Sequence, residues 1–291
     1  MNRCRIHRAL LATAYCAVVG ALAATAAEIG PDRGRLIIVG GGADIDSILH
    51  RFVDLAGGPR APIVVIPTAG GAPSYDDFHF AARWFREKAG VETVTVLHTD
   101  DRATADSEAF VRPIREARAV WFPGGRQWRL VDSYLGTRTQ RELEALLARG
   151  GIIGGSSAGA TIQGSYLARG DSRTNTIMMG DHEEGFGFLR NVAIDQHLLR
   201  RNRQFDLVEI IEAKPELLGI GIDEDAAILV TGDNFEVLAG YVAIYDAKRQ
   251  LPNGGKFYLL RNGDRFDLAS RRPSRPGRSQ LGFEKLLEEP W

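Results

Sequence analysis

Short apolar runs at 35–42, 62–71, 91–97, 119–125 and 151–153 each end in glycine-rich or polar residues. Between them lie amphipathic stretches from Asp46 to Leu55, Tyr75 to Lys88, Asp106 to Ala117 and Trp128 to Ala148. In the first of these, Ile48, Leu49, Phe52 and Val53 recur at helical spacing; in the second, Phe78, Ala81, Ala82 and Phe85 do. Branched apolar strands alternating with such helices predict a mostly parallel sheet with helices on both faces. Beyond Gly164 the pattern changes. Residues 169–187 are polar and glycine-rich, which predicts a long loop. Val208 to Ile211 reads as a short strand or a helix. The runs 217–224, 226–230, 235–238, 241–245 and 257–260 read as strands that extend the same domain.

In sheets of this kind ligands collect at the carboxyl ends of the strands, which draws attention to the loops there. The loop at Gly40-Gly41-Gly42 does not continue as a dinucleotide fingerprint, because Asp44 and Ile45 follow it. The stretch from Gly154 to Ala160 carries more chemistry. It sits between the apolar Ile152-Ile153 and an expected helical turn at Thr161. Ser157 has Gly155 and Gly159 around it in the spacing Gly-x-Ser-x-Gly. A hydroxyl at such a tight strand-to-helix turn is how α/β hydrolases present a nucleophile, with the helix N-terminus offering N–H groups to an oxyanion. The same residues also suit a plain βα junction or a phosphate loop.

The first 27 residues predict a signal peptide. Arg3, Arg5 and Arg8 precede an apolar run from Leu10 to Ala24, and small residues close it. That run falls short of the roughly 20 residues that cross a bilayer. The expectation is a secreted or periplasmic protein without membrane contact after cleavage, with residues 28–291 forming one α/β domain. Both cysteines, Cys4 and Cys16, fall in the removed segment. No thiolate nucleophile or cysteine metal site is then available, and a cysteine-dependent glutamine amidotransferase is the least expected reading. A net charge of -1, from 36 basic and 37 acidic side chains, argues against nucleic acid as a partner.

A serine needs a base, and the mature chain offers His50, His79, His98, His182 and His197. His197, in the polar run from Asp195, ranks first and His182 second. The residue that orients the base is sought among Asp223, Glu224 and Asp225, which follow an apolar strand, with Asp195 a further candidate. The N–H groups of Ala158 and Gly125 suit an oxyanion hole, and Gln127 could reach substrate from the same loop as Gly125. His182, Glu183 and Glu184 cluster in sequence, but their spacing is poor for a metal, and no cofactor is expected.

Four motifs occur in order: Phe122 to Gln127, Gly154 to Ala160, Asp195-Gln196-His197 and Gly219 to Glu224. Together they resemble the cyanophycinase branch of the dipeptidase E-like serine peptidases, peptidase family S51, over about residues 35–245. The resemblance implies a class I glutamine-amidotransferase-like, flavodoxin-like fold. It carries the family's nucleophile onto Ser157, its histidine onto His197 and its glutamate onto Glu224. Its Gly-Gly-x-Gln motif falls on Gly124, Gly125 and Gln127. Asp195, Gln196, Arg201 and Arg203 match residues placed around substrate. The implied activity is hydrolysis of multi-L-arginyl-poly-L-aspartate to β-aspartyl-arginine through an acyl-enzyme, by a homodimer. The chain departs from the pattern at Asp206, where an arginine is expected, at Leu198 in place of phenylalanine and at Ser156 in place of threonine. The reversal of charge at Asp206 bears on recognition, and the alternative it raises is a serine exopeptidase or isopeptidase acting on another aspartyl or β-aspartyl peptide. A non-catalytic binding protein on the same scaffold is the remaining alternative.

Overall fold

The computed structural model describes residues 28–42 and 45–277; the expected signal peptide and a closing helix expected at 281–291 lie outside the described residues. The first half alternates as its apolar pattern demands. Strand β1 (Arg35–Val39) leads to helix α1 (Asp46–Ala56), then β2 (Ile63–Val65), α2 (Phe80–Glu87), β3 (Val94–Val96), α3 (Arg102–Ala105) and α4 (Glu108–Glu116). There follow β4 (Ala119–Phe122), α5 (Trp128–Tyr134), α6 (Arg138–Ala148), β5 (Ile152–Ser156) and the short α7 (Ala158–Thr161). Beyond these come β6 (Gly164–Tyr166), β7 (Leu189–Gln196), α8 (Asp206–Ala213), β8 (Leu218–Ile222), β9 (Ala227–Thr231) and β10 (Asn234–Ala239). The described chain ends with β11 (Tyr241–Asp246), β12 (Tyr258–Arg261), β13 (Arg265–Asp267) and β14 (Arg272–Ser274).

Several local differences from the sequence reading have local causes. Helix α2 starts at Phe80 rather than Tyr75, because the His79 ring accepts the Ala81 N–H and caps it there. The stretch expected as one helix from Trp128 breaks into α5 and α6 at Gly136, whose φ of +74° leaves the helical region. Ser107 caps α4 through the Phe110 N–H, and Pro113 lies within that helix. The ambiguous 208–211 segment is helical, within α8.

The expected mostly parallel, flavodoxin-like sheet is not what forms. There are two mixed sheets, one of nine strands in the order β14-β13-β10-β9-β1-β5-β4-β2-β3 and one of five in the order β12-β11-β8-β7-β6. Strands β1 to β5 pair in parallel, but β9 joins β1 antiparallel, and β10, β13 and β14 continue antiparallel outward. In the second sheet β6, β7 and β8 are parallel, while β11 and β12 are antiparallel. The reason is connection length. Parallel neighbours need a crossover of a dozen residues or so, whereas β9 and β10 are joined by Gly232-Asp233 alone and can only form a hairpin. Strand β1, moreover, sits at the middle of the large sheet, which departs from the 2-1-3-4-5 order of flavodoxin-like folds.

Strand alternation divides the core. Ile37, Val39, Val65 and Trp121 face α1 and α2, where Phe52 and Phe85 meet them. Leu36, Ile38, Val120 and Ile153 face the other way, toward α4 to α7 and residues of the second sheet such as Ile194 and Ile220. Helix α8 covers the second sheet's far side, packing Leu207, Ile210 and Ile211 against sheet residues such as Ala243 of β11. Among the described residues no helix is long and apolar enough to cross a membrane.

Candidate active site

Strand β5 delivers Ser157 at its carboxyl end, with φ 57° and ψ -113°. A non-glycine residue in this region stores strain of about 1–3 kcal/mol. The flanking glycines make the turn fit. A Cβ on Gly155 would lie 2.2 Å from the Gly159 carbonyl oxygen, and one on Gly159 would lie 2.0 Å from that of Phe122. The Ser157 N–H is anchored to the Val39 carbonyl oxygen of the neighbouring strand at 3.0 Å.

Strand β7, in the other sheet, ends at Gln196 and presents His197, which also has a positive φ of 54°. Its N–H donates to the Gly40 carbonyl oxygen at 3.0 Å, which ties the end of β7 to the end of β1. Strand β8 ends at Ile222 and places Glu224 two residues on. These three side chains, from two sheets, form one hydrogen-bonded line. Ser157 Oγ lies 2.9 Å from His197 Nε2, and His197 Nδ1 lies 2.7 Å from Glu224 Oε1. A carboxylate only accepts, so it fixes the proton on Nδ1 and leaves Nε2 to accept from the serine hydroxyl. Burial pulls the His197 pKa below the ordinary histidine value; Glu224 opposes this, and the positive charges of Arg201 and Arg203 add to the lowering.

The neighbouring acids have other work. Asp223 Oδ1 accepts the N–H groups of Leu199 and Arg200, each at 2.9 Å, and so holds the segment after His197. Asp225 has a positive φ, and its N–H donates to the Gly41 carbonyl oxygen at 2.9 Å. The other histidines are engaged elsewhere. His98 Nδ1 bonds Thr68, His182 Nε2 bonds Asp132, His79 caps α2 and His50 packs edge-to-face against Trp84. Among the described residues no three His, Cys, Asp or Glu side chains are grouped to hold a metal.

Ala158 opens α7 directly after the serine, where a helix N–H has no partner four residues back. Gly124 packs against the serine, since a Cβ there would lie 3.3 Å from that of Ser157. Gly125 has φ +147°, and its Cβ position falls 2.1 Å from the Ala69 carbonyl oxygen. The residues expected around substrate are placed differently. Gln127 is fully buried and donates its amide to the carbonyl oxygens of Ala168 and Arg169, at 2.7 and 2.9 Å. Asp195 is fully buried against Arg169. Arg203 donates to the backbone and side-chain oxygens of the buried Gln196, at 3.1 and 3.0 Å. Of this set, only Arg201 is substantially exposed, at 47% of its side chain, with Nε 3.9 Å from Glu224 Oε1.

Two participants escape the sequence reading. One is Gly41, whose Cβ would lie 2.2 Å from His197 Cε1, so that only a glycine leaves room for the imidazole. A glycine triplet after the first strand was the available signal. The other is Arg169, whose burial between two carboxylates had no signal in a polar loop. That loop, expected around 169–187, forms no regular element, but Arg126 Nη2 also fastens it by donating to the carbonyl oxygens of Asp171 and Thr174.

A sequence model of Peptidase family S51 matches residues 36–238. A cyanophycinase of Geminocystis herdmanii is 28% identical over 263 residues, covering 83% of this chain and 96% of its own. The cyanophycinase of a Nostoc species is 30% identical over 81% of this chain and 86% of its own, and that of Synechococcus elongatus is 33% identical over 74% and 69%. Among solved structures, a peptidase from an acI-B1 Actinobacterium superposes with a TM-score of 0.64 at 24% identity, over 81% of this chain and 97% of that one. A putative peptidase E protein of Listeria monocytogenes gives 0.51 at 17%, over 70% and 97%. At these identities the structural likenesses speak for a shared fold. The family match and the curated relatives go further: the chain belongs to peptidase family S51, in its cyanophycinase branch, and is a serine-type peptidase.

Proposed function

We propose that Ser157 is the nucleophile, His197 its base and Glu224 the residue that steadies the imidazolium. The reading is supported by the unbroken line of hydrogen bonds at 2.9 and 2.7 Å that joins the three. His197 Nε2 takes the Ser157 proton as Oγ attacks the scissile carbonyl. The N–H groups of Ala158 and Gly125 hold the oxyanion. His197 then gives the proton to the leaving amine, and water, activated by the same imidazole, clears the acyl-enzyme.

The substrate to place first is cyanophycin, multi-L-arginyl-poly-L-aspartate, cut to β-aspartyl-arginine; relatives named cyanophycinases, 28% to 33% identical, support it. A second reading, cleavage of another aspartyl or β-aspartyl peptide, is favoured by Asp206. Its carboxylate is bonded to Arg169 at a position where the resemblance expects a cation. The basic and apolar leader before residue 28 supports an exported enzyme. The test is mass spectrometry of products after purified protein meets insoluble cyanophycin, with Ser157→Ala as control. Release of β-aspartyl-arginine by wild type alone is the expected result. No release, with Ser157 still reactive toward a fluorophosphonate, would move the substrate to the second reading.

A further inference from the structure

A crevice of about 510 Å³ opens beside Ser157 and His197. It is lined by the carboxyl ends of β4 and β5, at Trp121 and Ser156, and by the N-terminal parts of α1 and α2. The helical walls are apolar: Leu49 on α1, and Phe80 and Trp84 on α2. Phe80 is 67% exposed, so a large ring is left in water at the crevice. Among the described residues the lining carries one carboxylate, Asp46, and one of its oxygens already accepts the Trp84 indole N–H at 2.7 Å. The basic side chains of this region, Arg200 and Arg201, stand instead beside Glu224.

Filling this space with a hydrocarbon side chain removes apolar surface from water on both partners. Filling it with a guanidinium strips that group of its hydration and returns little besides a half-occupied carboxylate. We infer that the crevice is a subsite for a bulky apolar group, so that the peptidase takes an aromatic or branched aliphatic side chain beside the bond it cuts. This rests on Ser157 being the nucleophile. It departs from both aspartyl readings above and gives the enzyme a second substrate class, defined by an apolar neighbour of the scissile carbonyl.

The test uses three alkyl fluorophosphonates that differ in one substituent: ethyl, phenylbutyl and guanidinobutyl. In each, Ser157 Oγ forms a bond to phosphorus, fluoride leaves, and the serine proton passes to His197. Labelling rates at Ser157 are read by intact-protein mass spectrometry. The phenylbutyl probe should react at least about tenfold faster than the guanidinobutyl probe, the scale on which apolar pockets discriminate. Phe80→Ala and Trp84→Ala should bring the phenylbutyl-to-ethyl ratio down toward one; Phe80, being exposed, can be lost without unfolding the chain. Equal rates for the two long probes overturn the inference. So does a faster guanidinobutyl probe whose advantage disappears in Asp46→Asn, which would make this a cation site. Failure of all three probes, ethyl included, would instead remove the nucleophile assignment, and the subsite with it.

Discussion

Arg169 donates Nε to Asp195 Oδ1 at 2.7 Å and Nη2 to Asp195 Oδ2 at 3.0 Å, a bidentate pair in which both side chains are essentially inaccessible to water. Asp206 closes on the same guanidinium from the solvent side. This accounts for the departure at position 206: an arginine there would face a buried cation already paired with Asp195, whereas an aspartate accepts a further guanidinium N–H. Asp195 lies two residues before His197, so the cluster also ties the 169–187 loop to the strand that ends beside His197.

Removing one partner from a buried pair costs roughly 3–5 kcal/mol when the other charge is left alone, and Asp206 keeps Arg169 partly compensated, so the lower end applies. Asp195→Asn should therefore lower stability by about 3 kcal/mol, read as a shift in the urea midpoint. Asp206→Asn should cost less than about 1 kcal/mol, because that carboxylate is partly solvated and screened. Equal losses would mean that the two acids share the guanidinium evenly.

Ser157→Ala should reduce kcat by roughly 10⁶ if the serine is the nucleophile. Glu224→Gln keeps the shape of the third group but no longer holds the proton on Nδ1, and should cost about 10⁴. Steady-state kinetics on the substrate identified by mass spectrometry, with circular dichroism to check the fold, decides both. A Glu224→Gln enzyme within tenfold of wild type would take Glu224 out of the mechanism.

In the proposed mechanism His197 must be neutral to accept the serine proton, and its pKa is held below the ordinary histidine value of about 6.5. Activity should thus be present at neutral pH and fall only as pH drops through that lowered value. Arg201 contributes to the lowering by charge repulsion. Arg201→Gln removes the repulsion, favours the protonated imidazole and should move the acid limb of kcat/KM to higher pH. A limb that stays in place or moves to lower pH contradicts the electrostatic account.

Gly41→Ala would place a methyl group within 2.2 Å of the imidazole, at a φ of +129° that side chains avoid. The expected outcome is a folded protein with kcat reduced about 100-fold or more, as when a catalytic group is displaced by an ångström. Gly125→Ala meets the Ala69 carbonyl oxygen instead, and displacing that N–H should cost about 3 kcal/mol of transition-state binding. Rates near wild type for Gly125→Ala would remove it from the oxyanion hole.

Much of the first half was legible from sequence, because the period of its apolar residues is set locally. A strand such as Leu36 to Val39 must show alternate residues to two faces, and α1 must bury Ile48, Leu49, Phe52 and Val53 on one side. The Gly-x-Ser-x-Gly turn was legible for the same reason: a backbone this tight excludes Cβ atoms at Gly155 and Gly159. Strand direction in the second half was not. Apolar alternation is identical for parallel and antiparallel neighbours, and it does not say that β8 and β11 leave β9 and β10 for a second sheet. Nor could it divide the run from Asp223 to Asp225. Three adjacent acids differ in role because Glu224 meets a histidine from another strand, Asp223 meets the backbone after it and Asp225 meets Gly41. Element periods and tight turns can be read along the chain, since they depend on near neighbours. Which side chains meet was decided by tertiary structure, because the pairings cross the gap between two sheets.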